Sequence, residues 1–154
     1  EFILSKIDNA EKRGLKLLLD GRKLSKSEGY YIGPTIFDNV PNNDDLAQKE
    51  IFGPVVSIHT WEDEKEVIKI ANDSVYGLAA GIWTKDVNKA IQIADKIEAG
   101  TVYINNYFNA STQSPVGGYK QSGYGRENGW EGMQCFMQTK STWLATKPNQ
   151  PDPF

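Results

Sequence analysis

The chain has 154 residues, with 20 acidic and 17 basic side chains, a formal net charge of −3 at pH 7 and a pI near 5.2. Its acids and bases are interspersed, which argues against the basic stripe of a nucleic-acid surface and the polybasic patch of a membrane-docking one, so small ligands are the expected partners. One cysteine, Cys135, leaves no internal disulfide framework and points to a reducing, cytoplasmic setting; no basic leader precedes an apolar run, and no segment approaches the ~18 apolar residues of a membrane span.

Phe2, Ile3, Ile7 and Ala10 fall at helical spacing, and Gly14 closes the run, which predicts a short helix. "LKLLLDG" reads as a strand and turn, and "SEGYYIGPTIFDNV" as β-formers interrupted by Gly33-Pro34. "NNDDLAQKE" places Asn and Asp before a single helical turn, and "PVVSIHTW" follows as a mostly apolar strand. "EDEKEVIKIANDS" has three acids in its first turn, where the helix dipole favours them, with Val67, Ile70 and Ala71 on one face. After the strand "YGLAAGIWTK", the segment "DVNKAIQIADKIEAG" is the clearest helix: Val87, Ala90, Ile91, Ala94 and Ile97 share a stripe, and Gly100 stands where a left-handed cap would close it. "TVYINN" is again a strand. From about residue 54 to 106 this is a β-α-β-α-β order, so the expected class is α/β with a mainly parallel sheet and helical crossovers. Such a sheet needs cover on both faces, and few helices are available to supply it.

Residues 105–132 are rich in Gly, Asn, Ser, Tyr and Gln, and a loop of that length is usually functional or disordered; its aromatic residues argue against disorder. "MQTKSTWLATK" reads as a late strand before a proline-rich end. The tripeptides Asn72-Asp73-Ser74 and Asn109-Ala110-Ser111 match a glycosylation acceptor and are read as chance in a chain that is not secreted.

Most motifs with chemical potential fail on spacing. Gly123, Gly125 and Gly129 give G-x-G-x-x-x-G rather than a dinucleotide fingerprint, and Lys120 does not follow glycine as in a phosphate loop. One Cys and one His, His59, cannot build a zinc tetrahedron, so no metal is expected. Met133 and Phe136 give Cys135 an apolar sequence setting, which favours a structural thiol over the nucleophile of a cysteine hydrolase. Glu50 stays open: it is either a solvated helix-end carboxylate or a ligand group aimed by the fixed corner "IFGP".

Five segments in order, "GYYIGPTIFDNV", "AQKEIFGPVVSI", "NDSVYGLAAGIWTKD", "AGTVYINNY" and "SPVGGYKQSGYGRENG", closely resemble the C-terminal part of the aldehyde dehydrogenase superfamily, and together they cover nearly the whole chain. The resemblance implies that Glu50 binds the hydroxyls of the ribose beside the nicotinamide of NAD or NADP, and that Phe52 packs against that end of the cofactor. It also implies that Asn105 to Phe108 and "QSPVGG" border the aldehyde tunnel, with Tyr107, Phe108 and Val116 as substrate contacts; many relatives carry an aromatic at the position of Val116. Residues 1–135 would then be the C-terminal part of the catalytic domain and 136–154 an oligomerisation strand and tail, commonly joining dimers or tetramers. In the family the nucleophilic cysteine, the oxyanion donors, the water-activating glutamate and the dinucleotide domain all lie upstream. The expectation is therefore a C-terminal fragment that is inactive alone, its parent oxidising an aldehyde to a carboxylic acid through a cysteine thioester. The alternative is a stand-alone, non-catalytic oligomerisation or interaction chain.

Overall fold

The computed structural model of the chain describes residues 1–24, 29–109 and 111–146. Helix α1 (Phe2–Lys12) forms as its spacing predicts, with Ile7 and Ala10 fully buried. Its end is a double-bonded left-handed cap. Gly14 takes φ +85° and donates to the Glu11 carbonyl, while Leu15 donates to the Ala10 carbonyl, satisfying two otherwise orphaned acceptors.

The chain turns back into β1 (Lys16–Leu19), passes a 3₁₀ turn at Gly21–Leu24 and enters β2 (Thr35–Asp38), antiparallel to β1. Helix α2 (Asp45–Gln48) then crosses to β3 (Val55–Ser57), which pairs parallel with β2. The α1 helix, β2, α2 and the residues after it enclose one core, in which Ile7, Ala10, Phe37, Val40, Leu46 and Ile51 are all buried. Arg22 pairs locally with Asp20 at 2.8 Å and ties the 3₁₀ turn to α1 through Asp8 and Glu11 at 2.6 and 2.8 Å, and these three carboxylates, Asp20 foremost, hold its guanidinium well above its ordinary pKa.

The second half contains α3 (Glu64–Asn72), β4 (Tyr76–Gly77), β5 (Ala79–Ile82), α4 (Val87–Ala94), β6 (Thr101–Ile104), β7 (Tyr119–Lys120) and α5 (Gly129–Gln134). Asp63 and Asp86 cap α3 and α4 by accepting from Glu66 N and Lys89 N. Strands β5 and β6 form the expected parallel pair joined by α4, with Ala79 opposite Thr101 and Ile82 opposite Ile104.

The α/β class and its parallel crossovers stand, but the parallel pairs belong to two sheets instead of one. Strand β3 joins β2 and β1, and "YGLAAGI" splits at Leu78 because Tyr76 and Gly77 pair antiparallel with Lys120 and Tyr119. Two further expectations change. Helix α4 ends at Ala94 with a right-handed Asp95 cap, and Gly100 is not a left-handed residue. The apolar stripe of α4 buries Ala90 but leaves Val87 and Ile91 about half exposed, and α3 buries none of its residues.

Residues 138–145 follow α5 without regular secondary structure, so the late strand forms no ladder within the chain among the described residues; residues 147–154 of the expected tail lie outside them. No helix among the described residues is long and apolar enough to cross a membrane.

Asp44 links the sequence to this packing in two ways. It caps α2 by accepting from Leu46 N at 2.8 Å, and its two oxygens accept from Arg13 Nε and Nη2 at 3.0 and 2.7 Å, fastening α2 to the end of α1. The Arg13 hydrogen bonds outweigh partial desolvation and hold the Asp44 carboxyl below its ordinary 3.8. A carboxylate depressed on folding stabilises fully above its unfolded pKa, and that contribution is lost as pH falls through the folded value. Asp44→Ala should cost about 1–2 kcal/mol at pH 7, mostly through the cap because the Arg13 end is solvent-screened. In denaturant titrations the gap between variant and wild type should narrow at pH 3. An equal gap at both values would show that the ion pair contributes nothing.

Candidate functional site

The corner at residues 49–54 is built by opposing demands. Helix α2 stops because Lys49 leaves helical geometry at φ −119°, ψ 137°. Ile51 then drops into the core, only 9% exposed, and pins the middle of the corner. Phe52, beside it, is 87% exposed and held at φ +53°, a left-handed conformation that costs a non-glycine residue roughly 1–2 kcal/mol. Gly53 follows where a side chain would press into Ile3, its Cβ falling 2.6 Å from Ile3 Cδ1. The Pro54 carbonyl accepts from Thr35 N at 2.8 Å and stitches the corner to β2. The turn is rigid without help from Glu50.

Glu50 is consequently free to do something else. Its neighbour Lys49 pairs with Asp45 at 2.9 Å, one helical turn back, and no hydrogen bond or ion pair reaches the Glu50 carboxylate among the described residues. The exposed side chain lines a cleft of about 570 Å³ whose other walls include Ser74, Tyr76, Leu78, Glu98 and Ser122. Tyr107 lines the same cleft, so the fold brings together two residues that stand 57 positions apart.

Tyr107 belongs to an aromatic group beyond the end of β6. Its ring centroid lies 5.2 Å from Tyr103, 6.2 Å from Trp83 and 4.8 Å from Phe108, the last edge to face. Asn105 anchors the group, donating from Nδ2 to the Thr84 carbonyl and accepting Thr84 N–H, while its own N–H reaches Ile82 O. Phe108 repeats the pattern of Phe52, with φ +60° and 85% exposure. Two exposed phenylalanines held left-handed are unusual, and such strain concentrates at functional positions.

The long loop is ordered by its own bonds. Val116 and Glu127 exchange two backbone hydrogen bonds at 2.8 Å, Arg126 Nη1 donates to the carbonyls of Gly118 and Gly125, and its guanidinium sits 5.6 Å from the Tyr119 ring centroid. Backbone approach is tight: a Cβ on Gly100 would fall 1.6 Å from the Gly117 carbonyl oxygen, and one on Gly77 would lie 2.3 Å from Glu98 O. Ser122 Oγ accepts from Gly77 N, closing the wall.

Not every expected site residue converges. Phe52 and Phe108 do not line the cleft that holds Glu50 and Tyr107. Val116, half-buried, lines a neighbouring cleft of about 380 Å³ that shares Leu78 and Ser122 with the first. Cys135 lines that second cleft too and is exposed at the end of α5, a correction to its expected apolar, structural setting; the short α5 turns it outward. The polar frame around the cleft escaped sequence reasoning. Asn72, Asp73 and Ser74, dismissed as a chance acceptor tripeptide, all make hydrogen bonds at the end of α3, and a cluster of such residues after an apolar helix was the signal.

Residues 1–142 match the aldehyde dehydrogenase family. The chain belongs to that family. It is 42% identical over 144 residues to the aldehyde dehydrogenase of Enchytraeus buchholzi, covering 94% of this chain and 29% of that relative. It superposes with a TM-score of 0.88 and 43% identity on a Mycobacterium tuberculosis aldehyde dehydrogenase complexed with NAD+, covering 97% of this chain and 31% of the other. Betaine aldehyde dehydrogenase from Staphylococcus aureus, also in complex with NAD+, gives a TM-score of 0.91 at 38% identity, with 99% and 31% covered. The chain thus spans less than a third of each of these relatives.

Two substitutions separate the packed wall from the strained rim. Gly100→Ala should destabilise by about 1–3 kcal/mol or more, because backbone must move to admit the methyl group. Phe52→Gly should shift stability by less than about 1 kcal/mol, since relief of left-handed strain offsets the added freedom of the unfolded chain. Chemical denaturation compares the two directly, and an unchanged midpoint for Gly100→Ala would contradict the close approach to Gly117.

Proposed function

We propose that residues 1–135 are the C-terminal part of the catalytic domain of an NAD(P)-dependent aldehyde dehydrogenase, the complete enzyme oxidising an aldehyde to a carboxylic acid through a cysteine thioester. The observation that carries the reading is Glu50, an unpaired carboxylate carried on a rigid corner at a cleft wall. Its two oxygens suit a vicinal diol, each accepting one hydroxyl hydrogen, and Lys49 does not compete because Asp45 holds it. The residues present therefore fit the nicotinamide ribose of NAD or NADP. That cofactor, when bound, supplies the acceptor for the hydride leaving the aldehyde carbon.

This chain's own part is to position and enclose. Glu50 fixes the ribose, Phe52 offers an exposed ring to the nicotinamide end, and Tyr107 and Phe108 present aromatic surface to the aldehyde. Val116 extends that surface into the adjoining cleft, where a small side chain leaves room. Val87 and Ile91, the exposed apolar residues of α4, support the presence of further polypeptide over that helix in the complete enzyme. The nucleophile, the oxyanion donors and the water-activating glutamate belong to that further polypeptide. Residues 136–154 serve as the strand and tail through which subunits pair, and a single cysteine suits a cytoplasmic enzyme.

Two outcomes are expected. Glu50→Gln in the full-length enzyme exchanges charge-assisted acceptance for one neutral acceptor, a loss of about 1.5–3 kcal/mol, or roughly 10- to 100-fold in cofactor affinity or turnover. The thermal midpoint without cofactor should hardly change. Unchanged turnover and affinity would return Glu50 to a solvated helix-end acid. Residues 1–154 alone should give no NAD(P)H absorbance with any aldehyde; a cofactor-dependent rise, lost in Cys135→Ala, would overturn the assignment of the chemistry to other segments.

A further inference from the structure

Because Glu50 has no partner among the described residues, its distance from the opposite cleft wall depends on the backbone that carries it. Ile51 fixes that backbone to the first core. A second fixture lies two residues before Glu50. Gln48, half-buried at the end of α2, donates from Nε2 to the Asn42 carbonyl at 2.6 Å and to the Asp73 carbonyl at 2.8 Å. Asn42 Nδ2 donates in turn to Asp73 Oδ2 at 2.7 Å.

Asp73 is a firm post for this attachment. As the cap of α3 it takes φ −80°, ψ 62°, and its N–H bonds to Lys69 O and Ile70 O. Asn72 beside it donates to Lys96 O and accepts from Glu98 N, and Lys120 reaches both the Asn72 carbonyl and the Glu98 carboxylate at 2.6 and 2.7 Å. Ser74 and Glu98, which flank these bonds, line the same cleft as Glu50. The amide of Gln48 therefore bridges the segment bearing Glu50 and the wall facing it, with both amide hydrogens engaged.

We propose that Gln48 is a positioning residue which, with Asn42 and Asp73, clasps the Glu50 corner to the end of α3 and so sets the span between the ribose-binding carboxylate and the opposite wall of the cleft. This rests on the reading of Glu50 given above. An uncharged amide suits the task, since it donates twice without placing a cation where it would draw on the Glu50 carboxylate. Ile51 holds the corner against the core, and the clasp holds it against the cleft wall.

The test is a double-mutant cycle in the full-length enzyme, with NAD+ titrated by tryptophan fluorescence. Gln48→Met keeps length and shape but removes both donors, and should weaken NAD+ binding about 10-fold, the equivalent of two modest hydrogen bonds. The Gln48→Met, Glu50→Gln double variant should bind no more weakly than Glu50→Gln alone, because the clasp acts through Glu50. Asn42→Ala, which loosens the clasp without touching α2, should lose about 3-fold and show the same coupling. Additive losses in the cycle, or unchanged NAD+ affinity in both Gln48→Met and Asn42→Ala while Glu50→Gln is impaired, overturn the clasp and leave the Glu50 reading intact. Unchanged affinity in Glu50→Gln removes that reading and the clasp with it.

Discussion

Burial of Ile51 fixes the point from which the rest of the cleft is laid out. Helix α2 is a single turn, too short to hold itself in water, and it stands because Leu46 and Ile51 on either side of its end enter the core of α1 and β2. Once Ile51 is committed inward, the residues next to it have little choice. Phe52 is left facing solvent in a left-handed conformation, and Gly53 must be small to pass Ile3. Glu50, on the other flank, is left without a hydrogen-bond or ion-pair partner among the described residues. An acid that the fold has positioned but not paired is available to a ligand. The buried residue and the exposed acid are thus two consequences of one local decision.

The second half is held together differently, by backbone approach and polar stitching in place of a large core. Among its described apolar residues only Ala90 is fully buried. Gly77, Gly100 and Gly117 bring three segments so close that side chains are excluded, and Gly100 N bonds to Gly77 O where they meet. Glu64 pairs with Lys89 to tie α3 to α4, and a cleft of about 430 Å³ between these helices and β5 is walled by Trp61, Val67, Ile82, Trp83 and Ile93. An arrangement of this kind defines a surface accurately while leaving its apolar sides uncovered. Membership of a family whose matched relatives are more than three times as long accounts for that imbalance.

Local patterns carried much of this into the sequence. The α1 stripe ended by Gly14, the Asp cap of α2, the acidic first turn of α3 and the parallel β5-α4-β6 unit could all be read in advance, because each depends on residues within a few positions of one another. Sheet membership could not. Whether β3 joins β2 or β5 is settled by long-range pairing, and "YGLAAGI" shows no break at Leu78 until Tyr119 and Lys120 arrive to take its first two residues. Gly100 illustrates the same limit: a glycine after a helix suggests a cap, whereas here it admits a carbonyl from 17 residues downstream. At the site, Glu50 stood out by its neighbours, but the meeting with Tyr107 and the separation of Val116 into the adjoining cleft are properties of the assembled loop.

Strain and rigidity divide the labour around the cleft. The left-handed residues Phe52, Asn105 and Phe108 occur where the chain leaves a regular element and must aim a side chain outward. Each is flanked by something that over-determines it: the buried Ile51 and the Pro54–Thr35 bond for Phe52, the Asn105–Thr84 pair and the edge-on contact with Tyr107 for Phe108. Strain of about 1–2 kcal/mol persists only under such constraint, since a free loop would relax to its right-handed or extended alternative. The fold thus holds exposed aromatic rings without burying them, and a ring held in advance loses less conformational freedom when a ligand arrives. The surface around the cleft is therefore set by where the backbone is pinned, with the outward side chains as its last link.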